Sequence, residues 1–516
     1  MFMIVSAILV MLLASYTSST RPYKPNILYI LADDMGYGDV SWNNPGIKTP
    51  VLENLAREGV ILDRFYVQPK CSPSRAALMT GIYPYKTSMQ RGSIGSFRPT
   101  GLPTSLPTLP ALLKQEGYST HLIGILASSV LQVIIKYLGK WHLGYCNTKY
   151  TPTQRGFDSF FGVYSQQADH YSRTHRINKY IGSGYDLRRG NTVSYEGGGL
   201  YSTHLWERET ISLLDTLNTT TPWFLELSLT AVHPPYQVPE KYEQMYREQG
   251  RRYNESHYKQ EVIRKGMVTA VDESVGRIIE KLKDEGLYNN TLVIFTSDNG
   301  SGFRSANAPL RGKKGSVYEG SVRVPAFIHG QPLLNHMTVK PGYTSKALTH
   351  ITDWFPTLLG VARHNLTTNT DGVDIWPAIS SGKQSARTSL VYNIDMDDQS
   401  DTFQLAVRNN KWKLIWGQTK EFRPHRKQAG ELSLFNLDKD PYEENDLANK
   451  HLKKVIEMKI FAKKLAQDLK IAFQPNRFNL GFPRYHSGLL EPGWCQTGWW
   501  EVLWRNQNHR EKLNKL

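Results

Sequence analysis

The sequence predicts an α/β fold, with a large domain on a mostly parallel sheet followed by a smaller α+β domain with an antiparallel sheet. Short apolar runs at residues 26–32, 118–124, 222–229 and 291–296 are continuous rather than alternating, as in strands covered on both faces. Helical segments separate these runs, the arrangement that parallel strands require. Beyond about residue 385 the pattern changes to short strands joined by tight turns. At 516 residues the chain is long enough for a large core and more than one domain.

Taken in order, residues 2–14 (FMIVSAILVMLLA) form an apolar run with a mostly polar stretch behind it. The run is short for a membrane span and reads as a secretory signal peptide over 1–19, so no stable span is expected. Run 26–32 (NILYILA) ends in Asp33 and Asp34, then turns through Gly36 and Gly38. Adjacent carboxylates at a strand end are costly unless a cation sits between them; a solvated turn is the plainer alternative. Thr49-Pro50 opens a helix over 51–58 that stops at Gly59.

Cys71-Ser72-Pro73-Ser74-Arg75 follows, then Ala76-Ala77-Leu78-Met79-Thr80-Gly81. This stretch reads as the first turn of a helix, with Ser72 as its cap and Pro73 at the first helical position. Cys71 then lies just before the turn, and Arg75 lies one turn on, near the same face. A helix N-terminus with a guanidinium is a ready anion site. A buried cysteine beside an ordinary capped helix is the plainer reading.

A helix over 108–116, closed by Gly117, precedes the 118–124 strand. The 222–229 strand ends near Ala231-Val232-His233-Pro234-Pro235. Residues 261–283 carry helical periodicity through Val268, Val271, Val275, Ile278, Ile279 and Leu282. Strand 291–296 ends in Ser297-Asp298-Asn299-Gly300, where Asn-Gly alone would signal a hairpin turn. Pro309 to Lys314 is a basic loop, ordinarily a solvated surface. The second domain reads as strands at 403–407, 411–416 and 431–437, a turn over 438–445 and a helix over 451–469. The Trp-rich stretch 494–504 is expected to pack onto the main domain.

Four strands therefore lead into polar groups suited to catalysis: Asp33 with Asp34, Lys140 with His142, His233, and Asp298 with Asn299. The carboxyl ends of an open parallel sheet line its ligand crevice. This shared placement raises the functional reading above the plainer one. Carboxylates with an amide oxygen suit Ca²⁺ or Mg²⁺ and suit zinc poorly.

The net charge of +16 favours polyanionic partners. No recognition motif or basic repeat points to nucleic acid, and none is expected as a partner; a sulfated polysaccharide fits the charge equally well. Three cysteines do not make a disulfide scaffold, and whether Cys146 and Cys495 pair is left open. Sequons at Asn218, Asn254, Asn289 and Asn365 agree with passage through the secretory pathway. Asn299-Gly-Ser also matches but is expected to be buried as a ligand.

Cys-x-Pro-Ser-Arg with Thr-Gly five residues on resembles the sulfatase family motif, in which the cysteine becomes formylglycine. The likeness extends over residues 25–445, through Gly139-Lys140-Trp141-His142-Leu143-Gly144, Thr151 to Asp158, Ala231 to Pro234, Ser297 to Gly300 and Pro309 to Lys314. It is strongest toward enzymes that cleave N-acetylgalactosamine 4-sulfate. The resemblance implies an alkaline-phosphatase-like large domain over 24–385 and a C-terminal α+β subdomain with its tail over 386–516. It implies one Ca²⁺ held by Asp33, Asp34, Asp298, Asn299 and the converted Cys71. Arg75 and His142 would steady that residue, and Lys140, His233 and Lys314 would hold the sulfate and assist the leaving group. A formylglycine-generating enzyme is the implied maturation partner, a sulfated sugar or aryl sulfate the substrate, and the lysosome or extracellular space the destination.

Two departures stand out. In the family, the strand at 118–124 runs directly into Gly-Lys-Trp-His-Leu-Gly; here residues 125–139 (ILASSVLQVIIKYLG) intervene. They read as a gene-model error, such as a retained intron, because an insert there would displace Lys140 and His142. Cysteines that family members pair near the site are also largely missing. Two other readings remain: a phosphatase or phosphodiesterase of the same fold, weakened by the lack of a histidine cluster, and a binder of sulfated glycans disabled by the insert.

Overall fold

The computed structural model describes residues 24–118, 135–178, 180–217, 219–250, 255–397, 402–417 and 432–496. The signal-peptide reading over 1–19, Asn218, Asn254 and the 497–504 part of the Trp-rich stretch lie outside the described residues.

A ten-stranded sheet organises the large domain. Its centre is five parallel strands in the order Thr291–Ser297, Asn26–Ala32, Phe224–Ser228, Ile135–Lys140 and Ser159–Val163. Antiparallel pairing begins at Phe327–His329 on one side and Arg188–Arg189 on the other. The continuous apolar character of Asn26–Ala32 has a direct cause. Ile27, Tyr29 and Leu31 belong to a core on one face, and Leu28, Ile30 and Ala32 to a core on the opposite face. The first core includes the helices Cys71–Thr80 and Trp354–Val361; the second includes the long helix Glu255–Asp284.

Part of the expected insertion falls in the sheet. Residues 119–134 lie outside the described residues, so the strand expected over 118–124 is described only at Tyr118. The parallel strand that feeds Lys140 is Ile135–Lys140, between Phe224–Ser228 and Ser159–Val163. The last five residues of the segment read as an insert, 135–139, are thus sheet. They are contiguous with Lys140 and do not displace it.

The smaller sheet is antiparallel: Ser389–Asp397, Thr402–Asn409, Trp412–Gly417 and Leu432–Asn436. Its first strand was not anticipated. One face packs Val391, Leu405, Val407, Leu414 and Leu434 against Val455, Met458 and Ala462 of the helix Leu452–Ala466. The other face, through Tyr392, Ala406, Ile415 and Phe435, packs on Tyr66, Val317 and Val322 of the large domain. Inside that junction the buried Lys413 ammonium pairs with Glu319 (3.0 Å) and Glu443 (2.8 Å).

The chain then returns to the large domain. Lys470 and Phe473 donate backbone hydrogen bonds to Tyr85 O and Ser88 O, and Phe478 donates to Phe97 O. Trp494 is buried against Tyr145, and Cys146 forms a disulfide with Cys495 across 349 residues of sequence. Among the described sequons, Asn289 and Asn365 are exposed and Asn299 is buried.

Closing so long a loop restricts the unfolded chain, so Cys146→Ser with Cys495→Ser should cost about 2–5 kcal/mol, read as a lower Tm. A second prediction concerns Glu226, in register between Tyr29 and Tyr137. Its side chain is buried and neither carboxyl oxygen has a partner among the described residues. Burial pushes its pKa from 4.5 up to about 8, with Arg75 opposing. An acid that holds its proton more tightly when folded stabilises most below its unfolded pKa and loses that advantage as pH rises through the folded one. Between pH 5 and pH 9 the native protein should therefore lose up to about 4 kcal/mol relative to Glu226→Gln, measured by denaturant unfolding of both.

Candidate active site

The strands Asn26–Ala32 and Thr291–Ser297 end side by side, which brings Asp33 and Asp34 against Asp298 and Asn299. The Asp34 backbone lies in the left-handed region (φ 63°) and its N–H donates to Asp298 Oδ1 (3.2 Å). This conformation, strained for a non-glycine residue, belongs to the turn where the two neighbouring carboxyl groups meet Cys71. Cys71 Sγ lies 3.4 Å from Asp33 Oδ1 and 3.8 Å from Asp34 Oδ1.

The Cys71 helix departs from the expected capping. It spans Cys71–Thr80, with Lys70 at the cap position and no side-chain cap. Lys70 O accepts from Ser74 N (3.2 Å), so Pro73 sits inside the first turn, where a missing N–H still costs nothing. The Ser72 hydroxyl is taken by tertiary bonds: it donates to His142 O (2.8 Å) and accepts from Ile94 N (2.9 Å). Ser72 thereby ties the helix to the Gly139–Gly144 loop instead of capping it.

Each carboxylate has its own cation. Arg75 donates to Asp298 Oδ2 from Nε (3.0 Å) and Nη2 (2.8 Å). Lys140 Nζ donates to Asp33 Oδ2 (2.6 Å), and Lys314 Nζ to Asp34 Oδ1 (2.5 Å) and toward Cys71 Sγ (3.2 Å). Burial works against the Asp34 carboxylate, but Lys314, His233 and Lys140 outweigh it and hold its pKa well below the usual range. Burial pushes the Cys71 thiol far up. An unmodified thiol in this seat is a poor nucleophile at neutral pH.

Arg75 does not touch Cys71 through a hydrogen bond; its role is to hold Asp298 and, through Nη1, Lys140 O (2.8 Å) and Ser228 Oγ. Tyr137 OH also donates to Lys140 O, and Ser228 Oγ does so at 2.9 Å. Sequence reasoning missed Tyr137 and Ser228. Ser228 stands at the end of a recognised strand, a usable signal; Tyr137 lay hidden in the supposed insert.

Two histidines complete the ring. His142 Nε2 faces Ile94 O (3.1 Å), and its buried Nδ1 has no partner among the described residues. His233 Nδ1 faces Pro234 O (2.7 Å), so that nitrogen carries the proton and Nε2 is the acceptor of the neutral ring. Burial, then Lys140, lowers both pKa values well below the ordinary value. A cavity of about 10 Å³ joins His233 to Asp33, Lys140, Gln167 and His170. All the residues expected at the site, from Asp33 to Lys314, are brought together.

The donor set also fits a hard divalent cation. Ligand atoms of Asp33, Asp34, Cys71 and Asp298 lie within 4.8 Å of one another. Asn299 donates through Nδ2 to Asp34 Oδ1 (2.7 Å) and Gly300 O (3.0 Å), which leaves its buried Oδ1 without a partner. An orphaned amide oxygen beside three carboxylates is a donor set whose needs a hard cation would meet.

Comparisons with known proteins agree with this chemistry. Arylsulfatase J of Mus musculus is 33% identical over 537 residues, covering 95% of this chain and 82% of that protein. N-acetylgalactosamine-6-sulfatase of Homo sapiens is 29% identical, covering 79% of this chain and 75% of that protein. Among solved structures, Ps i-CgsB in complex with k-i-k-neocarrahexaose superposes with a TM-score of 0.72 at 28% identity, over 90% of this chain and 99% of that one. Residues 25–364 match the sulfatase family, and on these grounds the chain belongs to the sulfatases and is a sulfuric ester hydrolase.

Proposed function

We propose that the protein hydrolyses sulfate esters of glycosaminoglycans, specifically the N-acetylgalactosamine 4-sulfate groups of chondroitin and dermatan sulfate, using Ca²⁺ and a formylglycine made from Cys71. The observation that carries this is Cys71 itself, at the start of its helix and inside a ring of three carboxylates and their paired cations. Asp33, Asp34, Asp298 and Asn299 would hold the ion. When present, the ion would polarise the sulfate, and the hydrated aldehyde would supply one hydroxyl to attack sulfur and a second through which sulfate is later expelled.

The remaining work falls to the chain's own side chains. Lys314, beside residue 71, and Lys140, beside Asp33, present ammonium groups to the sulfuryl oxygens. Arg75 fixes the Asp298 carboxylate, which accepts the proton of the attacking hydroxyl. His142 Nδ1 offers an acceptor that keeps that hydroxyl oriented. His233 Nε2 is the acceptor of a neutral ring; the charge of a bound sulfate favours its protonation, and it then protonates the departing alcohol. The intact strand leading to Lys140 favours catalysis over passive glycan binding. The residues described at the site offer oxygen donors rather than the histidine cluster of a paired-zinc phosphatase. Exposed sequons at Asn289 and Asn365 support passage through the secretory pathway to a lysosomal or extracellular destination, and the basic charge supports a polyanionic substrate. Among the described residues, no helix is long and apolar enough to cross a membrane.

Mass spectrometry of the Cys71 peptide from protein made in a eukaryotic secretory host should show an aldehyde that resists thiol alkylation. A free thiol in active protein would refute the mechanism. Cys71→Ala should lower kcat on an aryl sulfate by at least about 10³-fold at unchanged Tm. Chelation should abolish activity, with Ca²⁺ restoring it, and Asn299→Ala should weaken Ca²⁺ affinity about 10–100-fold by calorimetry. Faster release from N-acetylgalactosamine 6-sulfate than from the 4-sulfate would overturn the substrate assignment alone.

A further inference from the structure

The junction between the large domain and the smaller sheet holds a cavity of about 300 Å³. Ligand pockets begin at about this size and favour domain interfaces. Asp63 and Arg64 line it from the large domain, Arg408 and Asp438 from the smaller one. Strand direction fixes its place relative to the catalytic crevice. Val60–Leu62 pairs antiparallel with Phe327–His329, which pairs antiparallel with Thr291–Ser297, so the outer two strands run the same way. Asp63 and Arg64 therefore leave the sheet at the edge where Asp298 leaves it, two strand spacings or roughly 10 Å away. Pro309 and Leu310, also in the cavity wall, begin the loop that carries Lys314.

The wall carries more positive charge than its carboxylates match. Asp63 accepts from Arg323 Nη2 (2.6 Å), Asp438 pairs with Arg64 (3.2 Å), and Glu319 pairs with Lys413 (3.0 Å). Two more cations of the wall, Arg408 and Lys346, have no ion pair among the described residues. Arg408 is buried and donates to neutral groups, Tyr66 OH (2.8 Å) and Asn410 O (2.6 Å). Arg323 is only 8% exposed, and its Nη1 donates to nothing among the described residues. A guanidinium N–H without an acceptor at this depth is costly, and an oxyanion supplies the acceptor. Tyr37, whose ring centroid is 5.0 Å from the Arg323 guanidinium, and Tyr442, 41% exposed at the rim, add surfaces that are apolar on the face and polar at the tip. Such surfaces suit a sugar ring, which presents an apolar face and a hydroxylated edge.

We propose that this cavity is a second binding site, taking an anionic sugar of the same polysaccharide whose sulfate is cleaved at residue 71. The sugar is a uronate or a sulfated hexosamine; Arg323, Arg408 and Lys346 bind its anionic group, and Tyr37 and Tyr442 border its ring. The inference rests on the sulfated-polysaccharide reading above and adds to it a site outside the catalytic crevice. A polyanion held at two points along its length binds more tightly than a single sulfated sugar.

Calorimetry with a chondroitin 4-sulfate octasaccharide tests this, in protein carrying Cys71→Ala so that no sulfate is released. Lys346→Glu and Tyr442→Ala should each weaken binding at least about tenfold, and Lys346→Arg should retain it. With Cys71 intact, neither substitution should change kcat/KM on 4-nitrophenyl sulfate. Lys463→Glu makes the same charge change on the exposed face of the helix Leu452–Ala466 and should alter affinity less than about twofold. Unchanged affinity in Lys346→Glu or Tyr442→Ala overturns the site, and so does an equal loss in Lys463→Glu, the mark of general charge attraction. Inorganic sulfate bound as tightly as the octasaccharide overturns the assignment to a sugar. A hyaluronan octasaccharide, which has carboxylates and no sulfate, separates the two supporting outcomes: equal binding identifies the uronate, weaker binding the sulfated hexosamine. Turnover of the aryl sulfate without these affinity losses leaves the hydrolase reading and removes the second site; the losses without turnover do the reverse.

Discussion

Three fully buried carboxylates within reach of one another are the constraint around which the large domain is built. Unpaired, Asp33, Asp34 and Asp298 could not remain ionised in this setting, because each would bear the desolvation cost and the repulsion of the other two. The fold answers with Lys140, Lys314 and Arg75, drawn from three separate segments, each against a different carboxylate at its shortest contact. The parallel sheet makes this possible. Adjacent strands end at the same edge, so the chain leaving each strand delivers its first polar residue to the same place.

The pairing explains why so many hydrogen bonds converge on a single backbone carbonyl. Lys140 O accepts from Arg75, Tyr137 and Ser228. Lys140 is thereby held at its backbone by the residue that holds Asp298, while its own side chain holds Asp33. Ser72 extends the lock to the carbonyl of His142. Displacing any one strand end would move several charges at once, which is costly at this depth.

Much of the fold was legible because its strands are covered on both faces and are therefore continuously apolar; Asn26–Ala32 and Thr291–Ser297 are the plainest cases. The carboxylate part of the candidate site was legible for the same reason, since Asp33, Asp34, Asp298 and Asn299 follow such runs. Other features carried no local signal. Ser389–Asp397 joins the small sheet through its neighbours, but its Asn393, Asp395 and Asp397 disguise it as a loop. Ser72 looks like a helix cap by residue type, yet its hydroxyl is engaged by His142 O and Ile94 N, partners distant in sequence. The Cys146–Cys495 pairing depends on the tail returning to the large domain, which no periodicity encodes.

The segment before Lys140 shows what its place in the sheet demands of the sequence. Two runs end alike, in Leu122-Ile123-Gly124 and in Tyr137-Leu138-Gly139. Only the second is continuous with Lys140, and the glycine is indispensable there: a Cβ on Gly139 would lie 1.8 Å from Ser228 O. Pairing 135–140 between Phe224–Ser228 and Ser159–Val163 therefore keeps Lys140 at the strand end. Every residue from 135 to 139 is paired strand, and Lys140 follows Gly139 with nothing between them. An insertion harms such a site only when it falls between the last paired residue and the first functional one, and here none does.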